Sequence, residues 1–143
     1  MRRLAVFAGA FDLDAAVSIG PDTAGDRNTF IELIHNLVLK SLITIDLTGP
    51  DVSYRLLDTT RLYAWEKLAE AQEAATICKR HADYFKRVLG VSAGETEAMS
   101  TISWLRAHGR HLPNVRAAIE WAFSAEGDLD LALDLTIGAV PLW

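Results

Sequence analysis

From Phe30 onward, apolar residues recur at every third or fourth position: Phe30, Ile31, Leu33, Ile34, Leu37, Val38 and Leu42. That spacing gathers them on one broad face of a helix. After Lys40-Ser41 the period changes: Leu42, Ile43, Thr44, Ile45 and Leu47 are β-branched or aliphatic and suit a strand. Thr48-Gly49-Pro50-Asp51 is turn chemistry, and residues 52–57 predict a second short strand. Before the long helix, residues 2–11 predict a short helix carrying Leu4, Val6, Phe7 and Phe11. Asp12 is placed to cap a second helix over residues 13–19, which Gly20-Pro21 ends. Residues 22–28 are polar and predict a surface loop, with Asn28 or Thr29 capping the long helix.

After the hairpin, Asp58 or Thr59 is expected to cap a helix over 60–71, with Leu62, Tyr63, Trp65, Glu66 and Leu68 along it. Residues 71–89 continue helical and bury Ala75, Cys78, Ala82, Phe85 and Leu89, which share one face. Residues 90–97 predict a loop, and 98–108 a helix with Met99, Ile102 and Leu105 in register. Leu112, Val115, Ile119 and Ala122 alternate at three and four, the seam spacing of one helix packed on another. Gly127 ends that helix and Asp128 begins the last. The last helix is apolar on two sides, with Leu129, Leu133, Ile137 and Val140 on one and Leu131, Leu135 and Leu142 on the other. Such a helix needs neighbours on both sides, yet the sequence stops at Trp143. A helical array cut short is the expectation, in the manner of solenoid repeats, although no fixed period is visible.

Helix, strand, turn and strand, set on two earlier short helices, is the plan of a winged-helix domain. The expected architecture is therefore mainly α. A winged-helix domain with one β-hairpin spans 1–70. A helical connector and the start of a TPR-like domain of antiparallel helices, truncated, span 71–143.

Charge narrows the function classes. The net charge is −5 and the isoelectric point about 5.3, a poor balance for a nucleic-acid or anionic-membrane binder, which needs clustered Lys and Arg. A lone cysteine, Cys78, excludes an internal disulfide and fits a reducing cytoplasm. The start is basic and then apolar, but Gly9, Asp12 and Asp14 break the run, so no secretory signal is expected there. No stretch approaches the roughly 20 apolar residues of a membrane span. The protein is expected to be cytoplasmic.

Candidate chemistry is sparse. A helix that reads a major groove exposes Arg, Lys, Asn or Gln. This one offers Glu32, His35, Asn36 and Lys40, and the hairpin adds Asp46, Asp51 and Arg55. A docking helix is the better reading, with His35, Asn36 and Lys40 as the DNA-contact candidates if it does bind DNA. Cys78-x-x-His81 and His108-x-x-His111 have zinc-ligand spacing, but lie on different elements, and no metal site is expected. Glu95/Glu97 and Asp128/Asp130 sit at loops and helix starts, where carboxylates favour the helix dipole. Lys79-Arg80 and Lys86-Arg87 form a basic stripe, either a solvated face or a dock for an acidic neighbour. No catalytic triad or dyad has supporting context, so the chain is expected not to be an enzyme.

Five segments occur in a telling order: RRLAVFAGAFDLDAA, LVLKSLITID, YRLLDTTRLYAWEKLAEA, KRHADYF and WLRAHGRHLPNVRAAIEWAF. Together they resemble the winged-helix region and first helical repeats of large bacterial STAND-type signal-transduction ATPases. These are related to NB-ARC and MalT-like switches and are often described as winged-helix or LuxR-type transcriptional regulators. The resemblance implies an upstream module that binds ADP or ATP, downstream repeats that sense a signal, and a separate effector that binds DNA. Two departures stand out. Gly20-Pro21-Asp22-Thr23-Ala24-Gly25-Asp26-Arg27 has phosphate-loop glycine spacing but lacks the Lys-Ser/Thr pair. Where NB-ARC switches carry Met-His-Asp, with His on the ADP phosphate, this chain has Leu56-Leu57-Asp58. Asp58 is then a helix cap before it is a nucleotide contact. The chain itself is expected to hold no cofactor.

Three functional readings follow. The first is a non-catalytic coupling segment whose partners are the nucleotide-binding and sensor domains of the same parent protein. The second is a free-standing winged-helix DNA-binding regulator. The third is a scaffold that forms homodimers through its C-terminal helix at Val140, Leu142 and Trp143.

Overall fold

The computed structural model describes residues 1–47, 51–95 and 109–140, with the side chains of Ala24 and of 91–95 excepted. They fall into two units, Met1–Ile77 and Cys78–Trp143. In the first unit, Asp12 behaves as its position dictates. Its Oδ1 accepts the Ala15 N–H at 2.7 Å and opens α1, Leu13–Ile19. Ala15, Ala16, Val17 and Ile19 are buried.

The segment before α1 departs from the helix expected over 2–11. Only Arg2–Val6 is helical, as a 3₁₀ turn, and the chain is extended at Phe7. Phe11 instead pairs with Tyr54: its N–H donates to the Tyr54 carbonyl at 2.8 Å and its carbonyl accepts the Tyr54 N–H at 2.7 Å. Phe11 stacks on Phe7 at 4.4 Å and on Tyr54 at 6.1 Å between ring centroids. Main-chain pairing with a strand some forty residues away wins over local helix formation, because it satisfies both polar groups of a buried residue.

The long helix α2 runs Arg27–Leu39. It starts earlier than expected, so Asn28 and Thr29 lie in its first turn and cap nothing. Asp26 holds the cap position, but its carboxylate accepts the Thr23 hydroxyl at 2.9 Å. Ile34 and Leu37 are buried. The helix closes with Ser41 N–H on Val38 O and Leu42 N–H on Leu37 O, a Schellman motif. Its left-handed position is Ser41, at φ 57°.

Strands β1, Ile43–Asp46, and β2, Ser53–Leu56, pair antiparallel, with Ile43 opposite Leu56 and Ile45 opposite Tyr54. Ile43, Tyr54 and Leu56 face the core, while Thr44, Asp46 and Arg55 face solvent. Most of the expected turn, residues 48–50, lies outside the described residues.

Helix α3 spans Asp58–Glu70 with Leu57 at the cap position and no side-chain cap, so neither Asp58 nor Thr59 caps it. Asp58 stands in its first turn instead, where a carboxylate complements the dipole. The buried line is Thr60, Ala64 and Leu68; Leu62, Tyr63 and Trp65 are exposed. Arg61 Nε donates to the Ala5 and Phe7 carbonyls at 3.2 and 2.8 Å, tying α3 to the chain start.

The helix does not run on through residue 71 as expected. A second Schellman closure, Gln72 N–H on Ala69 O and Glu73 N–H on Leu68 O, turns the chain with Gln72 at φ 56°. Helix α4 then begins and extends over Ala74–Glu95, through positions 90–95 that were expected to be loop.

In the second unit, Cys78, His81, Ala82, Phe85 and Leu89 form the buried line of α4; Ala75, expected on that line, falls in the first unit and is exposed. Helix α5, Leu112–Ala122, buries Val115, Ala118 and Ala122. Asp128 Oδ1 accepts the Asp130 and Leu131 N–H groups at 3.0 and 3.2 Å and opens α6, Leu129–Ala139. Leu131, Ala132, Leu135 and Ala139 are buried, and Gly138 packs on Leu89. The helix expected over 98–108 lies outside the described residues.

The protein is thus mainly helical, with a winged-helix domain whose antiparallel hairpin follows α2.

Candidate nucleic-acid interface

In this topology the surface available to a duplex is the outer face of α2 together with the hairpin. Glu32, His35, Asn36, Leu39 and Lys40 are exposed on α2. His35, Asn36 and Lys40 therefore reach solvent together, but Glu32 stands among them. Asn36 and Lys40 also border a groove of about 560 Å³ floored by Leu33 and Leu37. The hairpin offers Thr44, Asp46 and Arg55 on its outer face and Leu47, Asp51 and Val52 near its tip. Carboxylates beside Arg27 and Arg55 weaken their attraction to phosphate.

Residues 1–77 hold seven Lys and Arg against eleven Asp and Glu, and internal acceptors occupy most of those bases. Arg2 and Arg3 converge on Glu73. Arg2 donates to it at 2.9 and 3.1 Å, and Arg3 at 3.2 and 2.9 Å. Arg3 also donates to Gly20 O at 2.6 Å and to Asp22 at 3.0 Å. These hydrogen bonds, Arg3's first, hold the Glu73 carboxyl down to about 2 and raise both guanidinium groups above their ordinary value. Lys67 is taken by Glu70 at 2.7 Å. Arg27 sits 3.4 Å from Asp14 and Arg55 3.7 Å from Asp58, in solvent-exposed pairs. Lys40 stands at the exposed C-terminal end of α2.

The phosphate-loop spacing at Gly20–Arg27 does not form a cradle of N–H donors aimed outward. Its Gly20 carbonyl is an acceptor for Arg3, and residues Ala24–Asp26 make a 3₁₀ turn. Asp58, the one candidate nucleotide contact, is a surface carboxylate beside Arg55.

The basic stripe of α4 is stitched to its own unit. Lys79 lies 3.3 Å from Asp83, Lys86 lies 2.6 Å from Asp134, and Arg87 stands 5.4 Å from the Tyr84 ring centroid. Arg80 is half-buried. Of the zinc-spaced residues, Cys78, His81 and His111 are buried, and His108 lies outside the described residues. The Phe85 ring centroid lies 4.9 Å from that of His81 and 5.7 Å from that of His111. Among the described residues, no three metal-binding side chains gather. Burial pushes the Cys78 thiol up to about 11, as suits an inert core cysteine. Val140 is exposed at the end of α6, and Leu142 and Trp143 lie outside the described residues. No described helix is long and apolar enough to cross a membrane.

The Arg2/Arg3–Glu73 cluster had no signal in the sequence: its partners are some seventy residues apart and share no motif.

Residues 1–69 match the family described as the winged helix-turn-helix domain. Over 143 residues the chain is 34% identical to a Mycobacterium tuberculosis H37Rv protein provisionally named as an HTH-type transcriptional regulator. That match covers 99% of this chain and 16% of the relative. A Mycobacterium bovis protein of the same provisional description matches to the same extent. An uncharacterized protein of M. tuberculosis H37Rv is 36% identical over 88 residues, 61% of this chain and 22% of its own length. The chain thus spans 16% of the length of the first of these relatives. No solved structure matches the chain.

Proposed function

From the premise that residues 1–69 form a winged helix-turn-helix domain, we propose that the chain serves a transcriptional regulator as a protein-facing coupling module and not as its duplex reader. The observation that carries this is the exposed face of α2 and the hairpin. Glu32, Asp46 and Asp51 are interspersed with His35, Asn36, Lys40 and Arg55, in a unit with a net excess of acids. Phosphate contacts dominate duplex affinity, and a surface of mixed sign supplies few of them.

The finer form of this reading is a link between a nucleotide-binding module and a helical sensor in a longer ATP-dependent regulator. It draws support from the five-segment resemblance and from relatives about six times longer than this chain. In it, the chain contributes packing surface and no catalysis, and its partners are the neighbouring domains of the same protein. Helices α4 to α6 belong to the approach to the sensor, of TPR-like type. ATP binding by this chain alone would contradict that form, in which the nucleotide belongs to a neighbouring module.

A second reading, duplex binding by the winged helix itself, is favoured by one observation: Arg27, Lys40 and Arg55 are exposed, and the ion pairs of both arginines are loose enough to exchange for phosphate. A gel-shift titration at about 50 mM salt separates the two. Coupling predicts no retarded duplex at micromolar protein. Duplex binding through three phosphates predicts a complex whose log affinity falls with log salt at a slope of about −3 and that Lys40→Ala weakens.

A further inference from the structure

Helix α6 presents two apolar faces, and the described residues of its unit cover one. Leu131, Ala132, Leu135 and Ala139 are buried. Leu129, Leu133, Ile137 and Val140 are 64, 50, 70 and 64% exposed. Their spacing of four, four and three sets them in one line about 16 Å long. A continuous exposed apolar line of this kind marks a protein contact.

The residues beside that line decide what fits it. By helical spacing, Asp130 and Asp134 border one edge and Thr136 the other. The Thr136 hydroxyl is turned onto the Ala132 carbonyl at 2.7 Å. No Lys or Arg lies anywhere on α6. The acidic edge already takes a cation from a neighbouring helix: Lys86 of α4 meets Asp134 at 2.6 Å, while Asp130 points to solvent. A second copy of α6 would bring only acids and Thr136 to this seam, so its charges oppose self-pairing.

We propose that the outer face of α6 docks an amphipathic helix of a partner polypeptide, apolar at every third or fourth residue and carrying Lys or Arg along one side of that line. The Asp130 edge then pairs across the contact as Asp134 pairs with Lys86. Apolar burial supplies the attraction, and the charge edge selects the partner and its orientation. This holds whichever role the winged helix plays.

The test uses the full chain and two fluorescent model peptides of identical Leu spacing, one flanked by Lys and one by Glu, titrated by anisotropy at about 100 mM salt. The Lys-flanked peptide is expected to bind at least ten-fold more tightly. Leu133→Asp is expected to abolish that binding, with circular dichroism confirming that its helices remain. Asp130→Lys is expected to shrink or reverse the preference between peptides. Equal binding of both peptides, no binding of either, or binding unmoved by Leu133→Asp would overturn the proposal. So would sedimentation showing that the chain self-associates and that Leu133→Asp makes it monomeric.

Discussion

Replacing Glu73 by Gln tests whether the cluster at the α3–α4 corner stabilises the winged-helix unit. Four charged hydrogen bonds of 2.9–3.2 Å converge on this carboxylate from Arg2 and Arg3. The Arg3 and Glu73 side chains are only 20% and 23% exposed. Gln keeps the shape and one acceptor oxygen, but its amide nitrogen is a donor, so the substitution removes the charge and the two hydrogen bonds accepted at the other oxygen. Lowering the carboxyl from 4.5 to about 2 corresponds to about 3 kcal/mol at about 1.4 kcal/mol per unit. Because water reaches the rim of the cluster, screening reduces the expected contribution to about 1–2 kcal/mol. A carboxyl whose folded-state value is depressed stabilises the fold fully above its unfolded value, and that stabilisation is lost as the pH falls toward the folded value. Urea unfolding followed by circular dichroism should therefore show wild type ahead of Glu73→Gln by about 1–2 kcal/mol near neutral pH. The gap should narrow as the pH falls from 4.5 toward about 2. Other carboxylates titrate in both proteins alike and cancel in the comparison. Equal stability near neutral pH, or a gap that stays constant through the acid window, would refute the reasoning.

Three further outcomes follow from particular contacts. Gly20→Ala would place a methyl group in the Phe30 ring, so thermal melting should fall by the equivalent of about 1–3 kcal/mol. Adding Phe30→Leu should recover part of that loss. The buried Cys78 thiol, pushed up to about 11, should react with a thiol reagent near neutral pH only after denaturant is added; prompt stoichiometric labelling of the native protein would contradict its burial. Ser41→Gly relieves a left-handed residue at φ 57°, a conformation that costs a non-glycine residue about 1–2 kcal/mol. Glycine returns about 0.5–1 kcal/mol of that as added freedom in the unfolded chain. The net rise in stability should be at most about 1.5 kcal/mol, read from the shift in melting temperature.

What the sequence determined by itself was local. Asp12 and Asp128 carry their caps within three residues, and both open helices as their chemistry predicts. The change of period after Lys40-Ser41 places the end of α2 and the hairpin, because a helix face and a strand face need different spacings. The residue types on the outer face of α2 were also legible, since they are what remains once its apolar positions are assigned. The Schellman closures were not, because Ser41 and Gln72 stand where glycine usually gives the signal.

Contacts between distant segments belonged to the tertiary structure alone. Phe11 left its expected helix because Tyr54 offered both main-chain partners. Leu62 and Trp65 turned outward because the smaller Thr60 and Ala64, with Leu68, line the buried side of α3 beside the chain start. Glu73 gathered two arginines that no motif links to it. On α6 the two leucine stripes are equivalent in pattern. The Gly138 side became the inner one because Leu89 packs against its missing side chain, leaving Leu129, Leu133, Ile137 and Val140 to solvent. Periodicity says that a residue has an inward or outward face. Only the neighbour that arrives there, held by close packing, decides which face is buried.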